Sequence, residues 1–282
     1  MPVYRGGIKK VMIPIWSNTN GQDDIIWYEA TKSGSNYVCN VSLKSHKSLG
    51  AYSIHAYAYN AANNMQFLTS TKFTTKTPGA TTVSASSVNA SSGTFKLTVS
   101  GVTNTAALSE VKIPVWCASN QSDIVWYTAI KQSNGTYAIT VNTKNHKYNE
   151  GTYQAHVYMI DITRTLSYKT KTSVILKSSV GSITAVDTTK KETNFRISAN
   201  SLVPAAGTNS VHVAVWSTAG GQDDIKWYTM TKSGNNYICN VPISNHKTLG
   251  KYNAHVYIQK TTGTMQYVGA TTFNVTLASA IK

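Results

Sequence analysis

The sequence has few cysteines, few acidic residues and no long apolar run. Its three cysteines, Cys39, Cys117 and Cys239, are far apart in the chain, and this spacing excludes a disulfide framework within one domain. The longest apolar runs have the length of a strand, and Met1–Gly7 shows no charged segment followed by an apolar one. We therefore expect neither a transmembrane helix nor a signal peptide.

Because acidic residues are few, the chain is strongly basic. Against 11 Asp and Glu there are 26 Lys and Arg, which gives a formal charge of +15, although only 13% of the 282 residues are charged. Ser, Thr, Asn and Tyr supply the rest of the polar surface. Such a surface suits a polyanion or a sugar polymer outside the cell. We do not expect a nucleic acid partner, although charge alone does not exclude one.

A motif about a hundred residues long occurs three times. Trp16, Trp116 and Trp216 share this spacing, which is too long for a solenoid unit and indicates tandem domains. We predict domains at residues 1–78, 79–179 and 180–282, joined by short, semi-rigid connections. The first lacks a counterpart of Thr94–Gly101, so we expect the sequence to be an excised part if the protein is secreted.

Period-two alternation predicts the fold class. Phe95, Leu97 and Val99 alternate with polar residues, and Gly- and Asn-rich turns separate such stretches. Each repeat also has a Gly-x-Tyr before its penultimate strand, where a tyrosine commonly ties the strand to the preceding corner. We predict an all-β protein made of three tandem immunoglobulin-like β-sandwich repeats.

The penultimate strand and the V-K-I-P-V-W strand supply the first candidate site. In the second repeat His156 and Tyr158 should lie on the outer face of the sheet, and Trp116 should also point outward. If the two strands are neighbours, they form an aromatic platform suited to stacking on sugar rings. Alternatively, a loop or a neighbouring repeat covers the tryptophan. The predicted residues are Trp16, His55, Tyr57, Trp116, His156, Tyr158, Trp216, His255 and Tyr257.

A second tryptophan in each repeat precedes a tyrosine. Trp27, Trp126 and Trp227 alternate with isoleucine on one strand face, so we interpret them as core residues. Their neighbours Tyr28, Tyr127 and Tyr228 would then lie on the outer face.

Acidic residues and histidines in loops supply the second candidate site. Asp24, Asp123 and Asp224 precede the second strand, and His46, His146 and His246 precede the corner strand. We predict that the aspartates contact a ligand hydroxyl or a cation, and that the histidines, each followed by a lysine, contact an anion. Turn capping by the aspartates and backbone hydrogen bonding by the histidines are the alternatives. The spacing matches no local metal motif, so we predict neither a metal site nor a cofactor.

Catalytic motifs are missing from the sequence. It contains no G-x-S-x-G, H-E-x-x-H or P-loop pattern. Three copies of a weak site favour binding, because linked sites raise the effective concentration of one another. We therefore predict a non-catalytic protein.

The repeated pattern V-x-I-P-V-W-S, G-Q-D-D-I-x-W-Y and H-K-x-x-G-x-Y-x-x-H-V-Y resembles the group B streptococcal Bsp-like repeat. The resemblance implies an extracellular module that accompanies lytic or adhesive domains of Gram-positive cells. Departures occur at Ser122, Ala56 and Ala214. Our first hypothesis is a region that binds peptidoglycan glycan, teichoic acid or another wall polymer, as part of a larger chain. A structural spacer or adhesin stalk that binds a host or partner protein is the alternative.

Overall fold

The computed structural model describes residues 7–281, which are built almost entirely from β-strands. The strands of the first repeat are β1 Lys10–Ser17, β2 Ile26–Ser33, β3 Asn36–Val38, β4 Gly50–Tyr59 and β5 Met65–Thr75. Those of the second are β6 Thr82–Asn89, β7 Thr94–Ser100, β8 Leu108–Trp116, β9 Val125–Thr128, β10 Ile130–Lys131, β11 Tyr137–Asn142, β12 Gly151–Asp161 and β13 Leu166–Leu176. Those of the third are β14 Ser182–Asp187, β15 Asn194–Asn200, β16 Thr208–Ser217, β17 Lys226–Ser233, β18 Asn236–Pro242, β19 Gly250–Lys260 and β20 Met265–Val275.

Short 3-10 turns are the only helical segments in this part of the chain. They cover Leu43–Ser45, Thr105–Ala107, Thr143–His146, Ile243–Asn245 and Ala278–Ile281. Between residues 7 and 281 no helix has the length and apolar character needed to cross a membrane.

The second repeat is a sandwich of two antiparallel sheets. One sheet has the order β10-β11-β7-β6 and the other the order β13-β12-β8-β9. The strand that begins with the corner tyrosine motif, β12, lies inside the second sheet, and the two sheets face each other. This is the arrangement of an immunoglobulin-like domain. The predicted all-β, immunoglobulin-like fold class is therefore confirmed. The predicted domain boundaries after residues 78 and 179 stay a prediction.

Alternating side chains from both sheets form the core of this sandwich. Phe95, Leu97 and Val99 of β7 meet Val111 and Ile113 of β8, and all five are 0% exposed. Burial of each such side chain contributes about 1.5–3 kcal/mol relative to an exposed position. The period-two pattern of the sequence is thus explained by one apolar face on each strand.

The third repeat has the same strands, and the first repeat has only part of them. In the third, β17 pairs with both β16 and β18, which joins the strands into the order β14-β15-β18-β17-β16-β19-β20. In the first, β2 likewise pairs with β1 and β3. Among residues 7–281 the first repeat has no counterpart of the hairpin β6–β7, as the shorter sequence predicts.

A tyrosine fixes the corner before the penultimate strand in every repeat. The hydroxyls of Tyr52, Tyr153 and Tyr252 donate to carbonyl oxygens four residues upstream, at 2.8, 2.5 and 2.6 Å. Gly50, Gly151 and Gly250 are the first residues of this strand and have positive φ values, which explains the glycine of the Gly-x-Tyr motif.

Each cysteine is a free thiol that is half-buried. Cys39 and Cys239 occupy the strand position that Ile139 takes in the second repeat, and all three side chains are partly covered.

Candidate functional site

The two strands expected to carry the aromatic platform are neighbours. In the third repeat β16 pairs with β19, so that Trp216 lies opposite Asn253 and Ala214 opposite His255. The first and second repeats pair in the same way. The alternate residues Val213 and Val215 are buried in the sandwich core. The tryptophan, histidine and tyrosine of each repeat therefore share the outer face of one sheet, as predicted.

The first tryptophan contacts the predicted histidine edge-on. Ring centroids of Trp16 and His55 lie 4.8 Å apart, and the equivalent pairs in the other repeats lie 4.8 and 4.5 Å apart. Trp16 and Trp216 are nevertheless only 8% and 7% exposed, and Trp116 is half-buried. The expectation of an open tryptophan face at this position is wrong, because the imidazole already packs against the indole.

The second tryptophan lies on the outer face, contrary to the interpretation as a core residue. Trp27 lies opposite Pro14, whereas its neighbour Tyr28 lies opposite the inward Ile13. Trp27, Trp126 and Trp227 are 43%, 49% and 50% exposed. Their rings lie 5.4, 5.4 and 5.1 Å from the rings of Tyr57, Tyr158 and Tyr257.

A further aromatic residue, which sequence reasoning missed, extends this surface from the last strand. Phe67, Tyr168 and Tyr267 are 49%, 49% and 54% exposed. Phe67 contacts both Tyr57 and His55, with ring centroids 5.5 and 5.3 Å apart. Because these residues recur at about the same spacing as the tryptophans, the repeat alignment alone carried a signal for them.

These side chains form one structure, which we call the aromatic strip. In the first repeat it contains Trp16, His55, Tyr57, Trp27 and Phe67. In the second it contains Trp116, His156, Tyr158, Trp126 and Tyr168, and in the third Trp216, His255, Tyr257, Trp227 and Tyr267. Its exposed part consists of the second tryptophan and the aromatic residue of the last strand.

In the second repeat the aromatic strip combines an imidazole with lysines. Burial, and then the charge of Lys171, lowers the pKa of His156, and burial lowers the pKa of His255. These two rings therefore each offer one donor and one acceptor nitrogen at neutral pH. Lys112 and Lys171 lie directly across the strands from Tyr158 and His156. The strip of the second repeat can stack on apolar faces, hydrogen-bond to hydroxyls and attract anions.

The loop histidines lie inside the molecule and apart from the aromatic strip. His46 is 3% exposed, and His146 and His246 are 0% exposed. Nδ1 of His146 lies 2.8 Å from the carbonyl oxygen of Asp123, so it carries the proton. Nε2 therefore accepts from the hydroxyl of Tyr127 at 2.9 Å. The prediction that these histidines contact a ligand is wrong, because the protein uses both nitrogens.

The tyrosines beside the second tryptophan point inward to these histidines. Tyr28 and Tyr228 bond the imidazoles of His46 and His246 at 3.0 and 3.2 Å. Burial raises the pKa of all three tyrosines, including Tyr127. Their predicted position on the outer face is wrong, because they share the core face of the strand.

The aspartates cap the turn after the first tryptophan. The backbone amides of Ser17 and Ser217 donate to Oδ1 of Asp24 and Asp224 at 2.8 and 2.9 Å. Asp123 accepts from the amides of Cys117 and Ala118 and from Asn149. Burial tends to raise the pKa of Asp123, but these hydrogen bonds outweigh it and the pKa is lowered. The turn-capping alternative describes these residues, and the strip lies on the other face of the sheet.

The family model described as the GBS Bsp-like repeat matches residues 3–73, 84–174 and 184–273. The chain belongs to the GBS Bsp-like repeat family. The second and third Bsp-like matches begin within β6 and β14, whereas the first begins shortly before β1.

Solved structures give weaker similarities. A tetra-tandem repeat from the extending region of a large adhesion protein is 17% identical and has a TM-score of 0.38, with 96% of this chain and 68% of that chain covered. An ice-binding adhesin of an Antarctic bacterium is 14% identical, with a TM-score of 0.25 and coverages of 95% and 65%. A polysaccharide deacetylase from Bacillus cereus is 16% identical over 35% of this chain and 30% of that chain, with a TM-score of 0.28. Comparison with curated protein sequences gives no match.

Within a Bsp-like repeat, the two predicted sites therefore have different characters. The aspartates and histidines stabilise loops through hydrogen bonds within the repeat, and Oδ2 of Asp24 is buried without a hydrogen-bond partner among residues 7–281. The aromatic strip leaves large ring surfaces without a partner in the described residues.

Proposed function

We propose that this chain is a non-catalytic region of an extracellular protein that binds the Gram-positive cell wall through its aromatic strips. The observation that carries the proposal is the recurrence of the exposed pair formed by Trp27 and Phe67, by Trp126 and Tyr168, and by Trp227 and Tyr267. Exposed rings in one row are costly in water and are typical of binding surfaces.

Wall glycans have the chemistry that such a row accepts. The apolar faces of pyranose rings stack on aromatic side chains, and their hydroxyls need donors and acceptors at the edge. The hydroxyl of Tyr57, which hydrogen-bonds Nδ1 of His55 at 3.2 Å, keeps acceptor capacity for such a contact. The family to which the chain belongs and the resemblance of its motifs to surface-protein repeats support a ligand on the bacterial envelope.

Anionic wall polymers are the second class of ligand within this proposal. The formal charge of +15 favours long-range attraction of a polyanion. Salt distinguishes the two classes, because screening weakens a polyanion contact and leaves stacking on a neutral glycan largely unchanged. Comparison of intact walls with acid-stripped walls tests the same difference directly.

Three linked strips can give high overall affinity even if each strip binds its ligand weakly. Linked binding modules can exceed the affinity of one module by about 10²–10⁴-fold when all of them reach the ligand. A catalytic site gains nothing comparable from this repetition, so the arrangement favours attachment over chemistry.

The test is co-sedimentation of the chain with purified Gram-positive walls. The triple variant Trp27→Ala, Trp126→Ala and Trp227→Ala should bind at least about tenfold more weakly, because central aromatic residues commonly dominate binding energy. The matched control replaces three exposed apolar residues outside the strip, Ile130, Ile175 and Val186, which are 71%, 62% and 59% exposed. Equal retention of both triple variants would refute a role for the strips.

A spacer or stalk that holds another domain away from the cell is the second candidate. The buried contacts between the second and third repeats favour it, because they resist bending at that junction. Glu150 of the second repeat pairs with Lys260 of the third, with side chains only 8% and 11% exposed. A stalk without a wall ligand would show no retention on walls, and the tryptophan substitutions would then have no effect.

A further inference from the structure

A cleft, which we call the junction cleft, lies where the second and third repeats meet. It has a volume of about 610 Å³, within the range of about 300–1,000 Å³ that is usual for ligand pockets. The second repeat lines it with the turn between β6 and β7 and with the 3-10 turn that carries Lys144. The third repeat lines it with residues 204–211 and with the hairpin that carries Lys232 and Tyr237. Neither repeat forms this cleft alone, and it is separate from the aromatic strips.

The junction cleft is positively charged and rich in hydroxyl and amide groups. Lys144 and Lys232 line it, and no aspartate or glutamate among residues 7–281 does. Neither ammonium group has an ion-pair partner in the described part of the chain, and the nearby carboxylate of Glu150 is paired with Lys260. The remaining polar side chains are uncharged and include Ser91, Ser92, Asn142, Thr208, Asn209 and Ser210. Such a lining attracts an anion and can hydrogen-bond to a polyol.

One wall of the cleft is a tyrosine that the other repeats lack. The second repeat has one residue more between its loop histidine and its corner glycine, His146–Gly151 against His46–Gly50 in the first repeat. In this longer loop Tyr148 has a φ of 56° and follows Lys147 with a φ of 58°. A Cβ atom at Gly207 would lie 2.4 Å from Cγ of Tyr148, so the ring packs on the backbone of the third repeat. Left-handed conformations of non-glycine residues are uncommon and cluster at ligand sites.

The same charged positions line a cleft at the junction between the first and second repeats. The lysine of the 3-10 turn, and the lysine and tyrosine of the next repeat, recur there as Lys44, Lys131 and Tyr137. A linear polymer with an anion on every unit can contact both clefts at once and gains affinity from the second contact. A small anion gains nothing from this repetition.

We propose that the junction cleft binds the phosphate groups of a polyol phosphate polymer, with Lys144 and Lys232 contacting the phosphate. The choice of an envelope polymer rests on the proposed function. Lysine binds phosphate as a point charge, and the serine, threonine and asparagine side chains of the cleft match the hydroxyls of a polyol. Single-stranded nucleic acid binds largely by stacking its bases on aromatic rings, and the two tyrosines of the cleft, Tyr148 and Tyr237, are half-buried.

The experiment measures the binding of a synthetic glycerol phosphate oligomer to the full 282-residue chain by isothermal titration calorimetry. The double variant Lys144→Gln and Lys232→Gln should raise Kd at least about tenfold, because hydrogen bonds to charged groups are among the strongest. The matched control, Lys96→Gln and Lys251→Gln, removes the same charge from the same two repeats at exposed positions outside the cleft. It should change Kd less than about twofold, because salt screens exposed charges.

Equal weakening of binding in both double variants would assign the binding to net charge and overturn the proposal, as would a chain that does not bind the oligomer. A single-stranded oligonucleotide with the same number of phosphates is the second probe. Its tighter binding through the same two lysines would identify nucleic acid as the ligand and would likewise overturn the proposal. The outcome is distinct from the wall test of the aromatic strips, because the oligomer is soluble and the lysine variants retain all three exposed tryptophans.

Discussion

The junction between the second and third repeats has several direct polar contacts, whereas the described residues of the first and second repeats share few. Across the later junction the amide of Ala206 donates to the carbonyl oxygen of Ala90 at 2.8 Å, and Ala205 lies in the core of the second repeat. Across the earlier one, Nδ2 of Asn104 donates to the carbonyl oxygen of Thr77 at 2.9 Å. Clefts of similar volume, about 610 and 660 Å³, border the later and the earlier junction respectively.

The missing hairpin accounts for part of this difference. Ala90 and Gly93 lie on the turn between β6 and β7, and the described part of the first repeat has no such turn. The turn between β6 and β7 therefore serves both the fold of the second repeat and its contact with the third.

The carboxylate of Glu150 makes further polar contacts across the later junction. Glu150 accepts from the amide and hydroxyl of Ser178 at 2.6 and 3.0 Å and from Gln266 at 3.1 Å, and it pairs with Lys260. Burial lowers the pKa of Lys260. The first repeat has Leu49 at the equivalent position before its corner glycine.

Removal of this carboxylate should make the second junction resemble the first. Glu150→Ala leaves a buried lysine without its partner, and loss of one member of a buried ion pair costs about 3–5 kcal/mol. Urea denaturation should show this loss of stability, and small-angle X-ray scattering should show a wider range of conformations. The control is Glu110→Ala, which breaks an exposed pair with Lys112 and should cost less than about 1 kcal/mol. Equal losses for both variants would contradict the role of Glu150.

Added bulk at the junction should have the next largest effect. A Cβ atom at Gly93 would lie 2.2 Å from Oγ1 of Thr143 and 2.6 Å from Cβ of Ala206. Gly135 also has a positive φ, and a Cβ atom there meets nothing within 4 Å. Gly93→Ala should therefore destabilise the chain by about 1–3 kcal/mol more than Gly135→Ala, through overpacking. Thermal unfolding of the two variants measures the difference, and equal shifts in Tm would show that the junction tolerates the methyl group.

Acidification should lower the stability of the second and third repeats by a smaller amount. Burial lowers the pKa of His146 and His246, so the unfolded chain takes up these protons first as pH falls. Stability is therefore retained above about pH 6.5 and is lost below it, by about 1.4 kcal/mol per pH unit for each histidine that stays neutral when folded. His146 lies on the loop that leads to Glu150.

Urea denaturation between pH 7.5 and pH 5.5 measures this dependence. His146→Gln should flatten the dependence in the second repeat, because glutamine does not titrate. A slope that is the same in the variant and in the original chain would exclude His146 as its source.

Much of the fold could be predicted from the sequence. The hundred-residue spacing identified the repeats, and period two identified the strands. The same alternation placed His55 and Tyr57 on the outer face of their strand, because the corner tyrosine marks the inner face. The shorter length of the first repeat also indicated that it lacks the strand equivalent to β7.

The candidate site could be predicted only in part. Both faces of the strand that carries Trp27 and Tyr28 have large apolar side chains, so alternation alone could not tell which face is buried. The predicted exposure of Trp16 was wrong for another reason. Its edge-to-face contact with His55 depends on how two strands that are distant in the sequence are placed.

The sequence by itself therefore determined the repeat number, the strand pattern and the residues able to form an aromatic surface. Tertiary structure alone decided which of these aromatic rings meet solvent and which loop residues are buried as supports. The physical reason is that periodicity is a property of one strand, whereas burial depends on the strands and loops packed against it.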